Sequence, residues 1–268
     1  NATDYFTGKL DDVRIYNRTV TQEEAKKLYE LVPDSVNIDD ASDFQALLGA
    51  GGQIVRTNSG NLYAFLNDSG NCEVWKSIDG VGWQSMDSTG CNSNGPVAIA
   101  VKSDDNLSVV YSDTLNSNIV EMDEYVTSTD TLTGTSVQIS TSGFVLEDLS
   151  IATDSAGYFH LAWAEFDDNT STSYVYYRNN VPTLGSTITV QTIAGSDAYF
   201  DTTITIDING LPIVSYLDVT NSDLNSEIGN VNDATSFSLY TVDSDINNTT
   251  DVRGVSTAVN TETGDLWM

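Results

Sequence analysis

Apolar residues recur at every second position through most of this chain, in short runs broken by clusters of Asp, Asn, Ser and Gly. That spacing predicts half-buried β-strands joined by tight turns. Five segments share one outline, a strand, a polar turn and a second strand ending in aromatic or apolar residues: "IVRTNSGNLYAF" (54–65), "IAVKSDDNLSVVY" (99–111), "IATDSAGYFHLAW" (151–163), "ITIDINGLPIVSY" (204–216) and "STAVNTETGDLWM" (256–268). Aligned on the turn, Gly60, Asp105, Gly157, Gly210 and Gly264 fall in register, at intervals of 45, 52, 53 and 54 residues. Glycine there supplies the positive φ that a tight hairpin demands, and Asp tolerates it.

Each hairpin is followed by a polar loop and further strand signals, at "CEVWKSI" (72–78), "NIVEMDEYV" (118–126), "SYVYYRN" (173–179) and "SFSLYTV" (236–242). Four short strands in roughly fifty residues form the unit of a propeller blade. The fold class that follows is all-β, a β-propeller of four-stranded blades with about five repeats, the last incomplete. Helix formers cluster only in "TQEEAKKLYE" (21–30), which predicts one helix near the N-terminus.

Charge narrows the partners. Ten Lys plus Arg stand against thirty-nine Asp plus Glu, a formal net charge of −29. Such a surface repels nucleic-acid phosphates and anionic lipid, so nucleic acid is excluded as a partner. Most of the acid is Asp, which serves two purposes: turns, where it bonds its own backbone, and oxygen-rich sites for a hard cation such as calcium. No apolar run approaches the ~20 residues of a membrane-spanning helix, and membrane insertion is not expected. The chain starts without Met and stops inside a strand pattern, so neighbouring domains of a longer chain are expected. Cys72 and Cys91, the two cysteines, flank a hairpin-like segment, and a disulfide is the preferred reading. With seven Asn-x-Ser/Thr sequons, this favours an extracellular, secreted or cell-surface protein.

Three resemblances add to this pattern. "SIDGVGW" (77–83) resembles the Asp-box of sialidase-like (BNR) propellers, with Ser77, Asp79 and Trp83 matching, Trp one place early and Val81 where Gly is usual. In that family the box is a structural hairpin between the third and fourth strands, which implies a folding role for Asp79 and Trp83. Asp154, Gly157, His160 and Trp163 also resemble a repeat of secreted propellers. "YFTGKLDDVRIYNRTVTQEEAKKLYE" (5–30) resembles the C-terminal end of laminin-G-like, concanavalin A-like jelly-roll domains, on Gly8 and the run from Asp11 to Arg18. This implies two parts: residues 1–33 as the last strand and helix of a jelly roll, and 34–268 as a truncated sialidase-like propeller. Alternatively, the N-terminal strands complete the fifth blade and close a small ring.

Candidate chemistry is sparse. Sialidases grip a carboxylate with three Arg, but Arg56 lies beside a turn, Arg178 ends an outer strand, and Arg253 lacks the Ile-Pro that follows the family's first Arg. Counting back from the turn glycines, the inner strands begin near Glu147 and Asp148, near Asp201, and near Asp251 and Arg253. Glu147, Asp148, Asp201 and Arg253 are therefore the candidate ligand-binding residues at the funnel mouth. Carboxylates there could perform acid/base work on a glycoside, hold calcium or a sugar, or be solvated strand ends. In "DSDINNTTD" (243–251), Asp243, Asp245, Asn247 and Asp251 alternate as in a calcium loop, without its Gly or its bidentate Glu. His160, the single histidine, reads as structural. The expectation is a non-catalytic propeller module binding a glycan or cell-surface ligand. The alternatives are a glycoside hydrolase of propeller type and a structural spacer of an envelope or filament.

Overall fold

The alternating runs become strands because one face of each can be buried only against a neighbouring sheet. A computed structural model of the protein describes residues 53–92, 95–113, 119–140, 144–194, 201–218, 220–244, 255–260 and 263–267. The first blade comprises β1 (Ile54–Arg56), β2 (Leu62–Asp68), β3 (Asn71–Ser77) and β4 (Gln84–Gly90), paired antiparallel in that order. The second comprises β5 (Val97–Val101), β6 (Leu107–Ser112) and β7 (Val120–Val126), with two short outer strands, β8 (Thr131–Leu132) and β9 (Val137–Gln138), both on β7. The third comprises β10 (Val145–Thr153), β11 (Phe159–Asp167), β12 (Thr172–Asn179) and β13 (Ile188–Ala194). The fourth comprises β14 (Thr202–Ile206), β15 (Pro212–Asp218), β16 (Asp223–Gly229) and β17 (Phe237–Asp243). The hairpin β18 (Ala258–Val259) and β19 (Leu266–Trp267) opens a fifth. First strands of successive blades touch, β1 on β5, β5 on β10, β10 on β14 and β14 on β18. This is a β-propeller. The expected helix at 21–30, the jelly-roll segment and closure by N-terminal strands all lie outside the described residues.

The turn between the first two strands repeats almost atom for atom. Its fourth residue donates its N–H to the first residue's carbonyl, from Gly60 to Thr57 (2.9 Å), Asp105 to Lys102 (3.1 Å), Gly157 to Asp154 (3.0 Å) and Gly210 to Asp207 (3.0 Å). The fifth hairpin is one residue longer, with Gly264 donating to Asn260 at 2.7 Å. All five register residues have positive φ, of 93°, 67°, 88°, 82° and 80°. Asp154 and Asp207 add side-chain caps, their Oδ1 atoms accepting N–H groups from Ala156 and Tyr158 and from Asn209 and Leu211.

Between blades lie three apolar cores. Tyr63, Phe65 and Val74 pack against Ile99, Val109 and Tyr125; Val110, Val120 and Ile139 against Leu149, Leu161 and Trp163; Ala162, Val175 and Tyr177 against Ile204, Val214 and Tyr216. Each fully buried large side chain contributes about 1.5–3 kcal/mol. Cys72 and Cys91 are disulfide-bonded within the first core, with Cα atoms 5.8 Å apart, tying β3 to the crossover into the second blade.

Polar side chains then cross the interfaces to meet backbone N–H groups on the adjoining blade. Asp105 takes those of Asn58 and Ser59 at 2.8 and 2.9 Å, and Asp87 that of Leu132 at 2.8 Å. Asp148 Oδ2 takes that of Thr202 at 2.6 Å, and Ser150 Oγ that of Ile204 at 3.2 Å. Lys76 pairs with Asp130 at 2.8 Å across the first interface. Arg178 donates to the Gly185 carbonyl (2.8 Å) and to that of Ile139 in the preceding blade, away from the inner strands.

Two predictions follow from these contacts. At Gly157 a Cβ would meet Ser103 Oγ at 2.4 Å, whereas at Gly60 it would meet nothing within 4 Å. Gly60→Ala should therefore cost only the positive-φ strain, about 1–2 kcal/mol, and Gly157→Ala clearly more. Denaturant unfolding should show Ser103→Gly recovering that excess and no more. Asp148 is 1% exposed, and burial raises its carboxyl well above the ordinary range despite the N–H groups of Thr202 and Leu149. A carboxyl raised in the folded state stabilises most below the unfolded-state value and loses that contribution as pH rises through the folded one. Asp148→Asn leaves one of the two N–H groups without an acceptor and should cost about 1–3 kcal/mol. Comparing urea midpoints near about pH 4 and about pH 8, the variant should lose less stability than wild type on going to the higher pH. An unchanged pH dependence would exclude Asp148 as its source.

Candidate functional site

The end of the propeller at which β10 and β14 begin and β11 and β15 finish gathers carboxylates for a topological reason. Inner strands start there, and second strands hand over to third strands in short turns. In those turns Asn67, Asp167 and Asp218 occupy matching positions, paired with Cys72, Thr172 and Asp223. Each caps its own turn. Gly70 N–H donates to Asn67 (3.1 Å), Asn169 N–H to Asp167 (2.9 Å), and the Thr220 and Asn221 N–H groups to Asp218 (3.0 Å each). The Thr170 hydroxyl, first, and then backbone donors hold the Asp167 carboxyl below its ordinary range.

Glu147 is set apart by the backbone. In the β10–β11 ladder Leu146 faces Glu165 and Asp148 faces Ala164, leaving Glu147 as the extra residue of a β-bulge. A bulge re-aims its side chain and interrupts the pleat's alternation. The Glu147 side chain is half-buried, and burial, then the negative charge of Asp168, pushes its carboxyl above the ordinary value. Asp148 faces the fourth blade, its Oδ1 accepting from Leu149 N–H at 2.8 Å and its Oδ2 from Thr202. After burial, its carboxyl is raised further by the charges of Asp201 and Glu147. Asp201, 7% exposed, precedes β14 at the position matching Asp148 in the blade before.

The structure thus brings Glu147 and Asp201 within electrostatic reach of Asp148, and adds Asp168 within reach of Glu147. Asp168 was overlooked in the sequence because "EFDDN" reads as a turn. Arg253 lies outside the described residues, as do Asp245, Asn247 and Asp251 of the calcium candidate. Asp243, the remaining member, ends β17 exposed and opposite Leu224. Among the described residues, no three His, Cys, Asp or Glu side chains are grouped to hold a metal ion.

His160 is fully buried, its Nδ1 2.7 Å from the Tyr177 hydroxyl and its Nε2 3.7 Å from Asp154 Oδ2. Asn179 also donates to that hydroxyl (2.8 Å), while His160 Nε2 makes no hydrogen bond. Burial lowers the imidazole's pKa, against the pull of Asp154, which keeps the ring neutral and structural. The loop after β3 is likewise a fold element. Asp79 Oδ1 accepts from the N–H groups of Val81 and Gly82, both at 2.9 Å, and Ser77 Oγ from that of Gly80. At the opposite end, a cleft of about 320 Å³ is lined by Thr153, Asp154, Asp207, Ile208 and Val259. Its carboxylates are the turn caps already described.

No family model matches the chain, and no curated protein does. Solved structures do match it. An α-L-arabinanase of Penicillium chrysogenum complexed with arabinobiose aligns over 77% of this chain and 70% of its own, with TM-score 0.54 and 12% identity. An α-L-arabinofuranosidase of Fusarium graminearum, in complex with an iminosugar inhibitor, aligns over the same shares with TM-score 0.51 and 11% identity. A protein of unknown function from Dyadobacter fermentans aligns over 76% of this chain and 67% of its own, with TM-score 0.50 and 12% identity. At such identities the likeness is one of fold, the β-propeller.

Proposed function

We propose that this propeller is a glycoside hydrolase, working through Glu147 at the start of its third inner strand and Asp168 in the turn after β11. The observation that carries the reading is Glu147, a bulge residue whose carboxyl is raised by burial and by the neighbouring charge of Asp168. A carboxylic acid that keeps its proton beside a second carboxyl is the arrangement glycoside cleavage requires. Glu147 donates its proton to the glycosidic oxygen as the bond to the anomeric carbon breaks. Asp168 supplies the base or nucleophile, and the carboxyl separation in the substrate complex decides inversion or retention. The names of the arabinanase and the arabinofuranosidase make α-L-arabinofuranosides the first substrates to assay.

A second reading, binding of a glycan without turnover, draws on Asp148. Both of its oxygens are spent on backbone N–H groups, leaving that carboxylate a strut between blades. Either reading fits an extracellular setting, where the Cys72–Cys91 bond would persist.

Release of arabinose from arabinan and of nitrophenol from an aryl arabinofuranoside should separate the two. Glu147→Gln should lower turnover of arabinan by about 100- to 10,000-fold, and less on the aryl glycoside, whose leaving group needs no proton. Wild-type activity should fall as pH rises through the raised Glu147 value, and that alkaline limb should vanish in the variant. Glu147→Gln with wild-type turnover would end the assignment. Arabinan binding with no turnover would move the protein to the second reading.

A further inference from the structure

The same end of the third blade carries a row of aromatic rings that the acid/base residues do not use. Phe144 stacks on Tyr174, centroids 5.5 Å apart and planes 8° from parallel, and Tyr174 stacks on Tyr176 at 5.6 Å and 12°. Trp163 continues the row from Tyr176 at 5.5 Å, its Nε1–H fixed on Glu165 Oε1 at 2.8 Å. The inner end is therefore anchored. Tyr174 and Tyr176 project from one face of β12, because alternate residues of a strand share a face. Tyr174 pairs with Glu165 and Tyr176 with Trp163 across the ladder.

Exposure separates this row from the other aromatic contacts. Tyr63, Tyr125, Tyr177 and Tyr216 are fully buried between blades, whereas Phe144, Tyr174 and Tyr176 are only half-buried. Stacked on one another, the rings cover part of each other's faces, and what stays exposed is apolar ring surface and edges that suit the C–H groups of a sugar, while the tyrosine hydroxyls remain polar handles. Phe144 lies three residues before Glu147, at most roughly 10 Å along an extended strand. Glu165 and Asp167 lie within electrostatic reach of Tyr176, whose hydroxyl is pushed up to about 12, first by burial and then by Glu165.

Charge then selects the ligand. The carboxylates within reach of the row are thus Glu165 and Asp167, with Glu147 three residues from Phe144, on a chain of net charge −29. The guanidinium on this face of β12, Arg178, is spent on backbone carbonyls. Carboxylates accept hydrogen bonds from sugar hydroxyls and repel a sugar acid. We propose that Phe144, Tyr174 and Tyr176 form a stacking subsite for a neutral sugar unit, so that the ligand is an uncharged glycan chain rather than a sialylated or uronate one. This rests on the hydrolase reading for the position of the bond that is cut, but not for binding itself.

Calorimetric titration of the full chain with an arabino-oligosaccharide, and with an oligogalacturonate of equal length, tests it. The neutral probe should bind and the acidic one should not. Tyr174→Ala should weaken binding about tenfold, and Tyr174→Phe should stay near wild type. Circular dichroism would show that Tyr174→Ala keeps its strands. Wild-type affinity in a folded Tyr174→Ala, or tighter binding of the uronate, would overturn the subsite. Loss of turnover in Glu147→Gln with unchanged affinity in Tyr174→Ala would remove the subsite and leave the hydrolase. Weakened binding in Tyr174→Ala, with no turnover by the wild type, would leave the subsite and remove the hydrolase. No binding of either probe would remove both.

Discussion

The innermost strand of each blade has one edge without a ladder partner, and the rest of the architecture depends on what that edge bonds to. An unpaired N–H buried between blades costs as much as a lost hydrogen bond. The chain meets this by aiming short polar side chains across the interface, Asp148 at Thr202 and Ser150 at Ile204. Asp87 and Asp105 do the same for N–H groups elsewhere on the first interface. A carboxylate on a two-atom stem reaches a neighbouring backbone without filling the apolar space around it. The acidic composition is thus partly structural, since much of the Asp is bonded to backbone rather than displayed.

How far the sequence revealed this varied with how tightly physics limits the residue. Gly60, Asp105, Gly157, Gly210 and Gly264 were legible because few residues accept positive φ, and those that do recur at the repeat's own period. Strand existence was legible from alternation. The role of Asp148 was not. Counting back from the turn glycine finds the start of an inner strand, but the same position serves a strut, a ligand contact or a solvated end. The bulge at Glu147 was hidden too, because an inserted residue leaves no mark in an alternation only a few residues long. Tyr174 and Tyr176 showed their shared face, while their partial exposure depends on the neighbouring blade.

The two ends of the propeller differ in what they are free to do. At the end bearing the tight turns, Asp105 bonds the turn of the preceding blade, Gly157 abuts Ser103, and Gly264 abuts Ile208. At the other end, the turns after β11 and β15 are capped by Asp167 and Asp218, from within.

Self-capped turns answer to no neighbour, so they can lengthen, shorten or change composition without loosening a blade interface. Turns that touch the blade before them cannot. An ancestral propeller of this kind would therefore accumulate insertions and new specificities around Glu147 and the aromatic row. Its opposite rim would change mainly by point substitution at fixed length.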